Sequence, residues 1–467
     1  MNFTFLDIIF LIVFGIFLSV FLYSRRKKLE REGFLFLYRT RWGIKLIDYV
    51  GTKYKKTLNV LSYVSVALGY ILMGTMIYLA GKIVYIYVMY PQVVRAIKVP
   101  PIIPLVPYLP QVFKLDFLPP FYFTYWIIII AIIAITHEFS HGIFARHFGV
   151  EIKSTGFGFL GPFLAAFVEP DEKKMVKKNK FSQLTVLSAG TFANVITVIV
   201  FLFVIIIFFY FSFVPSGVVF DTYAYSPVII SEITYINGNY VSNISYDTLI
   251  GIMNETTIND IRTSEKNYLA TKSMVEQQEG NMIIIYNDAP AIRSNLSGAI
   301  QQINGIEIDS IEKLRDEIQK YYSGEEIKIT AKTGDKITEY KIVLEENPDG
   351  EGAWMGIGFS DTSQTGVFGK LYNKLSFFKE EHVYYEAKND IIIFFYNLFW
   401  WIILISISVA LVNMLPVGIF DGGRVFYLTV LFFLKSESKA KKIFSFVTYF
   451  FLVILLLLMV FWFISFI

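Results

Sequence analysis

The chain has 467 residues, 55% of them hydrophobic and only 17% charged, with a mean hydropathy of +0.53. Soluble globular chains carry about 25% charged residues, so a single water-soluble domain is excluded, and a net charge of +3 gives no footprint for nucleic acid. There is no cysteine, which excludes disulfides and thiolate metal sites.

The apolar residues collect in blocks. A spanning helix needs roughly 20 of them. Candidates lie at 3–23, 58–80 or on to 90, 121–146, 182–213, 389–412 and 443–466, and the run 425–434 is too short to span. The first block is followed by RRKK and no small-residue cleavage site, so it reads as a retained anchor. Basic residues set the orientation. The loop 24–57 holds eleven Lys/Arg, 146–180 holds seven and 435–442 holds four. Six spans put these loops on one side, the cytoplasmic one. Both termini, the loop 91–120 with Arg95, Lys98 and Lys114, and the insert 214–388 then lie outside.

The organisation expected is therefore two N-terminal spans with a basic cytoplasmic loop (1–90), an outer loop (91–120), a membrane core (121–213), an outer insert (214–388) and the rest of the core (389–467). The insert is polar and carries NG and SG turn signals. Within it ITYINGNYV at 233–241 echoes IQQINGIEI at 300–308. The run APAIRSNLSGAIQQINGIEIDSIEKLRDEI resembles PDZ domains, which take up an extended peptide by strand addition. That resemblance implies a PDZ-like fold over about 285–360. The first copy departs from the pattern after Leu249, leaving a tandem pair or a split domain open. The fold class expected is a polytopic α-helical membrane protein of about six spans with an inserted soluble mixed α/β PDZ-like domain.

At the end of the third block stands THEFSHGIFARHFGV, residues 136–150. Ionisable groups in hydrocarbon are costly and mark function. Residues i and i+4 share a helix face, so His137 and His141 can hold one zinc ion, with Glu138 beside them as a base. A lone histidine in an apolar helix is usually a packing residue; two with a glutamate inside a span are not. Two third ligands compete. His147 has the spacing of H-E-x-x-H-x-x-G-x-x-H sites, but Phe144 stands where those need glycine. Asp421 lies in LVNMLPVGIFDGGRVF, where Asn413, Pro416 and the glycines break two apolar runs. Irregular backbone at membrane depth is tolerated only where protein buries it or it lines a wet cavity. Alone, Asp-Gly-Gly reads as an ordinary turn.

H-E-x-x-H with Gly142, Ala145 and Phe148-Gly149-Val150, together with N-x-x-P-x-x-x-x-D-G at Asn413, Pro416, Asp421 and Gly422, resembles the site-2 protease family of intramembrane zinc metalloproteases. AGTFANV fits that family's G-x-x-x-N-type motif at Gly190 and Asn194, and GFGFLGPFLAAFVEPDE at 156–172 is similar to its membrane-associated segment. Phe420 stands where the family commonly has leucine. The resemblance implies one zinc per chain held by His137, His141 and Asp421, Glu138 as general base, and Asn194 and Asn413 supporting the oxyanion or scissile carbonyl. It implies transmembrane protein substrates cleaved near the cytoplasmic side of a prokaryotic cell membrane, lipid contact, and a peptide or substrate segment at the PDZ-like domain. A non-proteolytic receptor or metal transporter with a ligand-sensing PDZ-like domain is the rival expectation.

Overall fold

The computed structural model describes residues 3–33, 35–97, 100, 105–113, 115, 118–160, 163–278, 280–348, 350, 352–359 and 378–464. Lys98 and Lys114, two of the three cations placed in the outer loop, lie outside these. The chain divides into two compact units, 1–209 with 391–467, and 210–390.

Among the described residues the first unit holds six helices long and apolar enough to cross a membrane. These are α1 (Phe3–Arg25), α3 (Lys55–Met89), α4 (Phe123–His147), α5 (Lys180–Ser212), α6 (Asp390–Asn413) and α8 (Glu437–Ile464). Between α1 and α3 lies the shorter α2 (Ile44–Lys53), and α7 (Asp421–Leu434) follows the break after α6. The apolar run 425–434 is thus the body of a short helix. Tyr125, Trp126, Ile129 and Ile133 of α4 pack on Leu398, Trp401, Ile402 and Ile405 of α6. Phe144 and Ala145 pack on Val186, Ala189 and Phe192 of α5. Without a hydrophobic drive in lipid, such seams rest on close packing and small residues. Gly69 is one: a Cβ there would lie 2.5 Å from Ser188 Oγ.

Within the basic loop 24–57, which the sequence leaves as a loop, the described residues include strands and helices. Strands β1 (Leu29–Glu32) and β2 (Leu35–Thr40) form a hairpin. It joins β3 (Ile152–Leu160) and β4 (Phe163–Pro170) in a four-stranded sheet of order β1-β2-β3-β4. Gly156 in GFGF faces the Tyr38 carbonyl so closely that a Cβ would lie 2.2 Å from it. β4 is left as an edge. Helix α2 packs on α4, where Ile47 is fully buried against Gly142, and Arg146 pairs with Asp48 at 2.9 Å.

Among the described residues the second unit contains two six-stranded sheets, one nested in the chain of the other, and two short two-stranded pairs. Strand β5 (Phe213–Val218) belongs to a sheet with Ala299–Ile303, Ile306–Glu307, Glu326–Thr333, Lys336–Val343 and Val383–Ala387. Strands from Tyr225 to Asn287 build the other sheet, with its own core around Ile236, Leu249, Ile261 and Ile283. The two I-N-G echoes are matching hairpins. Asn237 and Asn304 have φ of +50° and +48°, followed by Gly238 and Gly305 at +82° and +84°. Positive φ at both positions suits Asn-Gly. In each, the asparagine Oδ1 accepts a backbone N–H from the facing segment, Asp260 N at 3.0 Å and Lys328 N at 2.8 Å. Each hairpin leads to a serine-capped helix, Ser245 before Tyr246–Ile252 and Ser310 before Ile311–Ile318. The first copy therefore repeats the second through its helix, and its sheet is inserted between β5 and Ala299–Ile303.

Candidate metal centre

Helix α4 carries His137 and His141 on one face, one turn apart. The chain after α6 turns through Met414–Phe420, and Asp421 opens α7 as its first residue. Two glycines make that turn possible. A Cβ at Gly422 would lie 2.3 Å from the Met414 carbonyl carbon, and one at Gly423 would lie 2.2 Å from the Val417 oxygen.

The three side chains converge. His137 Nε2 and His141 Nε2 lie 3.1 Å apart, and Asp421 Oδ2 lies 3.4 Å and 3.3 Å from them. Ligands about 2.0–2.1 Å from one tetrahedral ion are about 3.3 Å from each other. The triangle therefore has the size of three ligands around one zinc. All three side chains are largely withdrawn from solvent, at 10%, 14% and 23% exposure. Two imidazoles and a carboxylate suit zinc, and these residues are the only such cluster of three among the described residues. Gly190 of α5 keeps the space open: a Cβ there would fall 2.4 Å from both Nε2 atoms.

The remaining candidates separate by position. His147 Nε2 pairs with Asn59 at 2.9 Å and is not in the cluster. Glu138 Oε2 accepts the backbone N–H of Val168 at 3.1 Å, which ties the carboxylate to edge strand β4. Asn194 is fully buried, with its amide nitrogen 3.2 Å from His137 Nδ1. Asn413 is half-buried at the last turn of α6.

Three supports were not found in the sequence. The Val186 carbonyl lies 2.6 Å from His141 Nδ1, and a backbone oxygen leaves no residue-type signal. The Val168 N–H is silent for the same reason. Asp7 did leave a signal, as the one acid in the apolar helix α1. It is 2% exposed and accepts from Tyr108 Oη at 2.5 Å, Phe123 N at 2.8 Å, Thr124 N at 2.9 Å and Thr124 Oγ1 at 2.5 Å. The first N–H groups of a helix lack partners, and α4 has no capping side chain of its own at Tyr122. Asp7 of α1 supplies the cap for the helix that bears the histidines.

A His-His-Asp set among long apolar helices defines a membrane protein with a candidate metal centre. The family profile of Peptidase family M50 matches residues 125–293 and 379–457, more than half of the chain. The chain belongs to that family, the site-2 proteases, which are zinc-dependent in general. It is 32% identical over 197 residues to the uncharacterized protein MJ0971 of Methanocaldococcus jannaschii, over 40% of this chain and 48% of that protein. The chain thus spans about half the length of that curated relative. The crystal structure of the PDZ domain of the SdrC-like protein from Listeria monocytogenes matches with 29% identity, over 16% of this chain and 81% of that one, at a TM-score of 0.15.

Proposed function

We propose that the protein is a zinc-dependent intramembrane endopeptidase that cleaves transmembrane segments of other membrane proteins, as in regulated intramembrane proteolysis. The observation that carries this reading is the triangle of His137, His141 and Asp421, with Glu138 next to His137 in the chain but outside the cluster. A pure binding site has no need of that fourth group. Hydrolysis needs a base.

His137, His141 and Asp421 hold the ion. Bound zinc supplies Lewis acidity, which acidifies water and polarises a carbonyl. Glu138 takes the proton from the attacking water on its carboxylate and returns it to the leaving amine. The helices around the site withdraw it in large part from solvent, which strengthens charge interactions there.

A helical substrate hides its peptide bonds and must unwind first. Edge strand β4 is suited to receive the extended segment by strand addition. The Val168 N–H points away from β3 toward Glu138. By strand alternation Ala166 and Leu164 present backbone groups on that same side. A substrate paired there lies beside the base. The two nested sheets of 210–390 are read as a PDZ-like pair that engages a peptide or substrate segment. The basic loops favour a cytoplasmic location for the metal side, with this pair on the opposite face of a prokaryotic membrane.

The test is incubation of the purified chain in detergent with a single-span substrate, with and without a zinc chelator. Cleavage inside the span, abolished by chelation and restored by zinc, is the expected result. Metal uptake without cleavage of any such substrate would favour a receptor or transporter.

A further inference from the structure

Helix α5 meets the two histidines with three residues spaced one turn apart. The Val186 carbonyl lies 2.6 Å from His141 Nδ1, Gly190 lies against both Nε2 atoms, and the Asn194 amide lies 3.2 Å from His137 Nδ1. The ladder gives each histidine one partner on its Nδ1.

A histidine that offers Nε2 to a metal is neutral there, with its proton on Nδ1. That proton needs an acceptor. For His141 the Val186 carbonyl serves. For His137 the facing atom is the Asn194 nitrogen, which cannot accept. The Asn194 oxygen is buried and has no hydrogen-bond partner. A half-turn of the amide exchanges the two atoms and satisfies both that oxygen and the His137 proton.

We propose that Asn194 is a positioning residue: its amide oxygen accepts from His137 Nδ1–H, fixing the tautomer and ring orientation that present Nε2 to zinc. This rests on the zinc reading above and replaces the oxyanion role expected for Asn194. Nδ1 is the ring nitrogen turned away from the ion, so an amide engaged there is not aimed at a substrate carbonyl. Val186 and Asn194 are thus equivalent supports, one from backbone and one from side chain.

The experiment is zinc affinity of the full chain in detergent, by competition with a chelating dye, for the wild type, Asn194→Leu and Asn194→Asp. Leucine keeps the bulk and removes the acceptor; aspartate keeps an acceptor and makes it more basic. Loss of such a partner typically costs about 10–100-fold in metal affinity, so the leucine variant is expected to bind that much more weakly and the aspartate variant at least as tightly as wild type. Wild-type affinity in the leucine variant, or equal weakening in both, overturns the proposal. Should the leucine variant fail to fold, the cobalt-loaded aspartate variant decides: its d–d bands are expected to shift from wild type, and unchanged bands overturn the proposal. A wild-type chain that takes no zinc overturns the zinc reading itself, a different result from wild-type binding with indifferent variants.

Discussion

Gly190 faces His137 so closely that a Cβ on it would lie 2.4 Å from the imidazole Nε2. That space is where the three ligand atoms converge, so the glycine is part of the site by what it lacks. Gly190→Ala should therefore abolish stoichiometric zinc binding, measured by metal analysis of the purified chain. Alanine favours a helix over glycine by about 0.5–1 kcal/mol, so a loss of metal is not a loss of helix. Gly74→Ala on α3, where a Cβ would meet nothing within 4 Å, should keep its zinc.

Asp421→Asn should lower zinc occupancy at least tenfold, since a neutral amide replaces the anionic ligand. His147→Ala should leave occupancy unchanged, because His147 turns to Asn59 instead. The reverse pattern in metal analysis would make His147 the third ligand.

Asp7 gathers four donors from two segments. Asp7→Ala leaves the N–H groups of Phe123 and Thr124 without that acceptor. An unmade buried hydrogen bond costs about 1–3 kcal/mol. Thermal unfolding of the full chain in detergent should show a lower midpoint for Asp7→Ala. Ser19→Ala, which removes an exposed bond to Gly15 on the same helix, should not lower it.

In the second unit, Glu386 ties together strands through Lys332 Nζ at 2.5 Å and Gln301 Nε2 at 3.1 Å. Its bond to Lys332, against the cost of burial and with help from Ser216 and Gln301, holds its carboxyl below the ordinary value. A depressed carboxylate contributes stability that is present above the unfolded value of about 4.3 and lost as pH falls through the folded one. Protease protection of this unit should fall with acidification below about pH 4.3. Glu386→Gln should show less of that dependence and lower protection at neutral pH; an identical profile would contradict the assignment.

The parts legible in sequence were those with strong local signals. Six long apolar helices follow from block hydropathy, and His137 with His141 from helical spacing. From its own residues Asp421 was legible only as the resident of an irregular break; the N-x-x-P-x-x-x-x-D-G resemblance made it a ligand, since its meeting with α4 is a long-range fact that helical spacing does not encode. The hairpin Leu29–Thr40 was hidden because its basic residues read as a topological signal, while its pairing partner β3 lies far along the chain. The I-N-G repeat was visible, yet its nesting was not, since strand pairing across an insertion leaves no periodicity. Asn194 was found by motif, but its 3.2 Å approach to His137 Nδ1 joins two helices far apart in the chain, which no local pattern encodes.

The central claim is that Glu138 is the base of a zinc peptidase and not a ligand. Glu138→Gln keeps the shape and removes the basic oxygen. Positioned acid–base groups contribute about 10²–10⁴ in rate. Zinc content and cleavage of a single-span substrate should be measured on the same preparation of this variant. The expected result is full zinc occupancy with cleavage reduced by at least about a hundredfold. Cleavage near the wild-type rate would contradict the account, and loss of zinc would place Glu138 among the ligands.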